Sequence, residues 1–239
     1  MKKVISFTIY QAPKSWEQIM ETNYEKYILG LNKNLELIKK FYPDWFVYLY
    51  HDETLDTSKL SELYKYEKFE SKLISDKSLN AMQWRFLPND DEEVELFICR
   101  DADSRVTYRE QVSVLEWINS GKILHVMRDH PHHHYFILGG MWGMRRQTDF
   151  NMKNECLKYN TENKYNPETQ WYDKWWDMNF LRDVLYPKYG NNSYVNSETG
   201  HAAEPWNREF TIKREDRKFV GEIYDENDNR AYHYTMLNN

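Results

Sequence analysis

The sequence predicts an α/β fold with a central, mostly parallel sheet flanked by helices. Three observations predict it. Short apolar runs alternate with stretches whose apolar residues recur at helical spacing. Val94, Leu96, Phe97, Ile98 and Cys99 form a run with both alternating faces apolar, the pattern of a buried central strand. That run stops at Arg100-Asp101-Ala102-Asp103-Ser104-Arg105, so charge collects where open α/β sheets place their ligands, beyond the C-terminal strand ends.

Val4 to Tyr10 reads as the first strand. Tyr24, Tyr27, Ile28, Leu31, Leu35 and Ile38 follow at helical spacing up to Lys39-Lys40, a basic last turn that suits the negative end of a helix dipole. Pro43-Asp44 breaks that helix, and Trp45 to Tyr50 forms a second strand ending at His51-Asp52. Leu60 and Leu63 mark a short helix, and Phe69 to Ile74 a third strand. Ser78 is placed to cap a helix through Leu87, closed by Pro88-Asn89. The Phe97 strand completes a Rossmann-like nucleotide-binding half, with no Gly-x-Gly-x-x-Gly and no Walker loop.

Thr107-Tyr108-Arg109-Glu110 matches a capping box that opens a helix through Asn119, with Val112, Leu115 and Ile118 toward the core and Gly121 past its end. Ile123 to Met127 is the next strand. Residues 151–170 read as a polar surface excursion. Asp177 opens an amphipathic helix ended by Pro187, Asn191 to Gly200 reads as a loop, and Phe219 to Tyr224 is the last recognisable segment.

At 239 residues and 29.3 kDa the chain is one large domain or two small ones. A net charge of −6 argues against a nucleic-acid partner. Cys99 falls in a core strand, which leaves Cys156 without a disulfide mate. The start Met1-Lys2-Lys3 resembles a leader, but its apolar stretch breaks at Tyr10-Gln11, and no window approaches a membrane span. These features predict a cytoplasmic protein. Nine Trp and nineteen Tyr serve core packing, and flat aromatic faces also suit sugar-binding clefts.

Asp101 and Asp103 offer hard oxygen donors to one divalent cation, Mn²⁺ or Mg²⁺, with positions left for phosphate oxygens. Arg100 and Arg105 flank them and are placed to meet the remaining charge of a diphosphate. An Asp-x-Asp alone is a weak motif, and a solvated acidic turn is the competing reading. His130, His132, His133 and His134 invite zinc, but neighbours on one short loop lack ligand spacing, so a polar loop over the cleft is expected. Gly139-Gly140 permits close backbone approach to a ligand or marks a bend between strands, and Trp142 can present a ring face. Candidate proton acceptors are Asp129, Asp173 and Asp177, while a lone histidine such as His201 is more often structural than a ligand.

Several blocks together resemble the GT-A-fold glycosyltransferases, in particular small bacterial and viral members. They are SFTIY (Ser6 to Tyr10), YPDW (Tyr42 to Trp45), WRFLP (Trp84 to Pro88), the stretch Arg100 to Ser120, MRDHPHH (Met127 to His133), LGGMWG (Leu138 to Gly143) and FVGEIYDENDN (Phe219 to Asn229). The resemblance covers most of residues 4–150 and extends to the C-terminus. It implies a single GT-A domain over 1–239, with a nucleotide-binding half in 1–105 and an acceptor-binding half in 106–239.

The implied activity moves a sugar from a UDP- or GDP-sugar to a hydroxyl of a glycan or other acceptor, as in polysaccharide biosynthesis. Asp101 and Asp103 then hold the metal, and Arg85, Arg100, Arg105, Asp101, Gly139 and Gly140 line the donor. His201, followed by Pro205-Trp206, is distantly similar to the His…Pro-Trp segment of family 8 transferases and is implied as a third metal ligand. Asp177 resembles their Asp-Gln helix start, with Met178 in place of Gln, and is the preferred proton acceptor ahead of Asp129. Two other classes remain open. A metal-dependent nucleotidyltransferase should carry a Gly-rich basic signature near its first strand, which Ser6 to Lys14 lacks. A non-catalytic carbohydrate-binding module has no need of an acidic pair beside arginines.

Overall fold

The computed structural model describes residues 1–11, 25–170, 173, 175–198 and 204–237. Lys2–Ile9 (β1), Phe46–His51 (β2), Phe69–Leu73 (β3), Val94–Arg100 (β4), Leu124–Arg128 (β5), Met141–Arg145 (β6) and Ser193–Ser197 (β7) form one sheet in the order β3-β2-β1-β4-β6-β5-β7. Every pairing is parallel except those of β6, which runs antiparallel between β4 and β5. The fold is therefore α/β with a mixed, mostly parallel sheet.

The two apolar faces of β4 feed two cores. Phe97 and Cys99 join Val4, Phe86, Trp142 and Phe180 on one side, while Leu96 and Ile98 join Ile5, Leu35, Val47 and Trp117 on the other. Each large side chain fully buried there contributes about 1.5–3 kcal/mol. On the second face lies the helix Glu25–Phe41, which buries Ile28, Leu31, Leu35 and Ile38 and carries Lys39 and Lys40 in its last turn. Cys99 and Cys156 are both buried free thiols.

Several expectations need correction. The helix before β4 is a 3-10 helix, Ala81–Asp90, and its cap is Asn80, not Ser78. Asn80 and Gln83 satisfy each other's backbone donors, a reciprocal pairing that Ser78 stands too far upstream to make. The helix Tyr108–Ser120 keeps Thr107 as N-cap and Gly121 in the left-handed conformation at φ 70°. Its buried face, however, is Arg109, Glu110, Ser113, Val114 and Trp117, and Leu115 is exposed. Polar partners rotate this face: Glu110 accepts from Arg100, and Ser113 donates to Asn196.

The supposed surface excursion contains the helix Met152–Glu162, which buries Met152, Cys156, Tyr159 and Asn160. Pro187 does not end the Asp177 helix. The helix Trp176–Phe180 continues through a π segment, Leu181–Leu185, into Tyr186–Tyr189, and the proline follows directly on the π segment, where the i→i+4 ladder is already interrupted. Within the expected loop at 191–200, Ser193–Ser197 is instead the strand β7. Among the described residues, no helix is long and apolar enough to cross a membrane.

The antiparallel insertion of β6 positions the site. Met141 at its start pairs with Arg100 at the end of β4, so the preceding Gly139-Gly140 lies directly across the acidic loop.

Candidate active site

Arg85, from the 3-10 helix, is the hub. It is 2% exposed, and its Nη1 reaches Asp101 Oδ1 at 2.5 Å while its Nη2 reaches Asp177 Oδ2 at 2.9 Å. Asp177 sits in the first turn of Trp176–Phe180, and its other oxygen accepts from the Met178 amide at 2.8 Å. Burial raises the Asp177 carboxyl above the ordinary carboxylate range, and Arg85 opposes that rise. The Asp101 side chain keeps 41% of its surface in solvent.

Gly139 and Gly140 form the floor beneath both carboxylates. A Cβ on Gly139 would lie 2.2 Å from Asp177 Oδ2 and 2.5 Å from Arg85 Nη2; one on Gly140 would lie 2.0 Å from Asp101 Oδ2. No side chain fits in that space. The close backbone approach expected of this pair is thus made, in the chain itself, by two carboxylates and a guanidinium. Trp142, expected to show a ring face, is instead fully buried, edge-on to Phe86 and Phe97. The antiparallel pleat turns it into the core opposite Cys99.

Asp103 is mostly buried, and its Oδ2 is 2.9 Å from the Lys26 ammonium. Burial, with the charge of Asp101 adding to it, raises the Asp103 carboxyl. Tyr10 and Tyr27 also stand near: both phenols are raised by burial, with further contributions from Asp101. Lys26, Tyr10 and Tyr27 were missed by sequence reasoning. The signal that was available is the four-residue spacing of Lys26, Gly30 and Asn34 along one helix face.

Other expected site residues are placed differently. Arg100 points inward, 2% exposed, with Nε on Glu110 at 2.6 Å and Nη1 on the carbonyls of Cys99 and Trp142. As the last residue of β4 its side chain falls on a core face, where Glu110 supplies the countercharge. Arg105 pairs with Asp228 at 2.7 Å and stacks over the Tyr224 ring, so it ties the C-terminal segment to the acidic loop. The Tyr224 amide donates to the Asp103 carbonyl in the same contact.

Asp129 is fully buried and its oxygens are filled: Arg109 donates twice, Arg214 once and the Val220 amide once. Saturation of that kind leaves no lone pair facing a substrate. Asp173 accepts from the Trp175 amide, and its carbonyl takes a bond from Asn80. His130 bridges the His233 carbonyl and the His132 amide, and His133 accepts from the Asp129 amide. His201 lies outside the described residues. Trp175, half exposed, stacks on Tyr135 at 5.5 Å just ahead of Asp177.

As a cation site, the Asp101–Asp103 pair supplies hard oxygens. Asp101 Oδ2 meets no hydrogen-bond donor among the described residues, and Asp103 already holds a cationic group. Among those residues no cluster of three or more His, Cys, Asp or Glu side chains converges as a metal centre. The pair therefore fits a cation completed by phosphate oxygens and water.

No protein-family model matches the chain, and no curated protein sequence matches it significantly. Solved structures do match. The structure of S. aureus TarS residues 1–349 is 15% identical, with 83% of this chain and 58% of that chain covered, at a TM-score of 0.51. The same protein in complex with UDP is 11% identical over the same shares, at a TM-score of 0.50. The longer TarS structure aligns at a TM-score of 0.51, and the match covers 35% of it. This chain thus spans 58% of TarS residues 1–349 and 35% of the longer TarS chain. At such identities the likeness establishes a shared fold: this chain has the GT-A-like sheet.

Proposed function

We propose that this chain is a glycosyltransferase that moves a sugar from a UDP- or GDP-sugar to a hydroxyl of a glycan or other acceptor. One observation carries the reading: Arg85 joins Asp101 to Asp177 on a floor of two glycines, at the C-terminal edge of a GT-A-like sheet. TarS, a GT-A-type glycosyltransferase solved with UDP, shares that fold.

In this reading Asp101 and Asp103 hold Mn²⁺ or Mg²⁺ beside the donor diphosphate, with His201 as the proposed third ligand. Bound there, such a cation offsets the negative charge that grows on the departing diphosphate. Arg85 holds Asp101 and Asp177 in place at the floor of the cleft, and the missing side chains of Gly139 and Gly140 leave room for both carboxylates. The acceptor oxygen attacks the anomeric carbon, the bond from that carbon to the diphosphate oxygen breaks, and the hydroxyl proton passes to Asp177. Burial suits Asp177 to this role, because a raised carboxyl holds a proton more readily, and Arg85 fixes its orientation. Asp129, filled by its arginines, is withdrawn from the role, and Arg100 and Arg105 are withdrawn from the diphosphate. The half-exposed Trp175 on Tyr135 offers the acceptor sugar a flat face beside Asp177.

A thermal-shift panel of UDP- and GDP-sugars, without metal and with Mn²⁺ or Mg²⁺, tests this. Stabilisation by one donor that depends on the cation, followed by release of the nucleoside diphosphate on adding acceptor, is expected. Absence of stabilisation by any donor with either cation overturns it.

A further inference from the structure

One face of the helix Glu25–Phe41 rides over the loop from Asp101 to Val106, and it does so through Lys26, Gly30 and Asn34. With 3.6 residues per turn these three stand one above another. A Cβ on Gly30 would lie 1.9 Å from the Ala102 carbonyl oxygen, so the missing side chain sets how near the helix comes. Asn34 fixes the register: its amide donates to the Ser104 carbonyl at 2.8 Å, and its oxygen accepts from the Val106 amide at 2.9 Å. One turn N-terminal of Gly30, the same alignment presses Lys26 onto Asp103. The ammonium is 2.9 Å from Oδ2, the two side chains are 17% and 11% exposed, and the ammonium also lies over the Tyr27 ring at 4.7 Å. A cation–carboxylate contact this sheltered is little screened by salt.

A divalent ion on that oxygen and an ammonium on the same oxygen exclude each other, by contact and by like charge. We propose that Lys26 is an intramolecular competitor for the divalent cation. Its ammonium holds Asp103 until the metal displaces it, so Lys26 sets how tightly the free protein binds the ion. The inference rests on the proposed cation role of Asp101 and Asp103. It differs from that role in assigning the affinity to a residue of another element, and in predicting that loss of a charged group strengthens binding.

The test is a titration of the full chain with Mn²⁺ alone, without donor, read by the electron paramagnetic resonance signal of free Mn²⁺. Lys26→Gln should bind on the order of tenfold tighter than the parent. Lys26→Arg, which keeps a cation on Asp103, should bind like the parent. Asp103→Asn should bind at least roughly tenfold more weakly. Lys26→Met, which keeps the aliphatic stem on Tyr27, carries the same expectation as Lys26→Gln if the latter fails to fold. Unchanged or weaker binding in both Lys26→Gln and Lys26→Met, with Asp103→Asn still impaired, overturns the competition and leaves the carboxylate site standing. Parent-like binding in Asp103→Asn, or no binding by the parent and both charge-removing variants, overturns the site and the competition together.

Discussion

The dipeptide Arg-Asp occurs at the end of two strands, as Arg100-Asp101 after β4 and Arg128-Asp129 after β5. In both, the arginine is buried and neutralised by a distant glutamate, Glu110 for Arg100 and Glu204 for Arg128. The aspartates then diverge. Asp129 is surrounded by two arginines and an amide, and nothing is left over. Asp101 has one guanidinium on one oxygen and solvent over much of the rest. What separates them is the neighbouring segment: β5 is met by the basic stretch around Arg214, whereas β4 is met by two glycines that bring no donor side chain. A strand-end carboxylate becomes a functional candidate through what its neighbours leave undone.

The largest effect that bears on this contrast is expected from Asp129→Ala. It leaves Arg109 and Arg214 with Glu198 as their one shared carboxylate and the buried Val220 amide without its acceptor, and should cost about 3 kcal/mol in urea unfolding. A loss below about 1 kcal/mol would place Asp129 among weak surface pairs and erase the contrast. Asp177→Asn should act on turnover instead. It keeps the size of the side chain and one acceptor oxygen for Arg85, but sets an NH2 against the Met178 amide. It also removes the proton acceptor, so kcat should fall roughly 100- to 1000-fold, at a stability cost of about 1–3 kcal/mol. Parent-like kcat would move the proton acceptor elsewhere.

The buried side should also be the acid-sensitive one. His125 is fully buried on β5, and burial, with Arg100 adding to it, lowers its value from 6.5 to about 3. Its folded value lies below its unfolded one, so its contribution is complete above about pH 6.5 and is lost as pH falls toward 3. Between pH 7 and 5 that loss is about 2 kcal/mol, at 1.36 kcal/mol per unit below the unfolded value. His125→Gln should flatten the stability profile over this window; an unaltered profile would remove His125 as its cause. Smallest of all, Asp101→Asn should change stability by under about 1 kcal/mol, while the Mn²⁺-dependent shift with donor disappears. A persistent shift would take Asp101 out of the site.

The sheet was legible because its strands carry their own pattern. Leu96 and Ile98 against Phe97 and Cys99 announced a two-faced strand, and Thr107 and Gly121 marked both ends of one helix. β7 was not legible, because Ser193 and Asn196 are polar and become buried only through partners far away, Asn196 with Ser113 and His125. Of the site, Asp101, Asp177 and the glycines could be named, since a charged strand end, a helix start and a glycine pair are local signals. Lys26 on Asp103 and Arg85 across to Asp177 could not be paired, because nothing local to either partner records a contact over such a sequence separation. Arg100 misled for the same reason: its distant neighbour Glu110 decides which way it faces.

The antiparallel place of β6 has a consequence for how the chain is made. β1 and β2 can pair as soon as both have left the ribosome, and β4 adds to β1 when it emerges. β5 follows with no partner available, because its two neighbours in the sheet, β6 and β7, are both synthesised later. Until Met141 appears, Leu124 and Val126 lie on a strand with both edges open, a state prone to wrong pairing. Its other partner, β7, is delayed further, by the helix Met152–Glu162 and the helical run that begins at Trp176. Nascent chains of increasing length should therefore gain protease resistance in steps, one at β4, another at β6 and the last at β7.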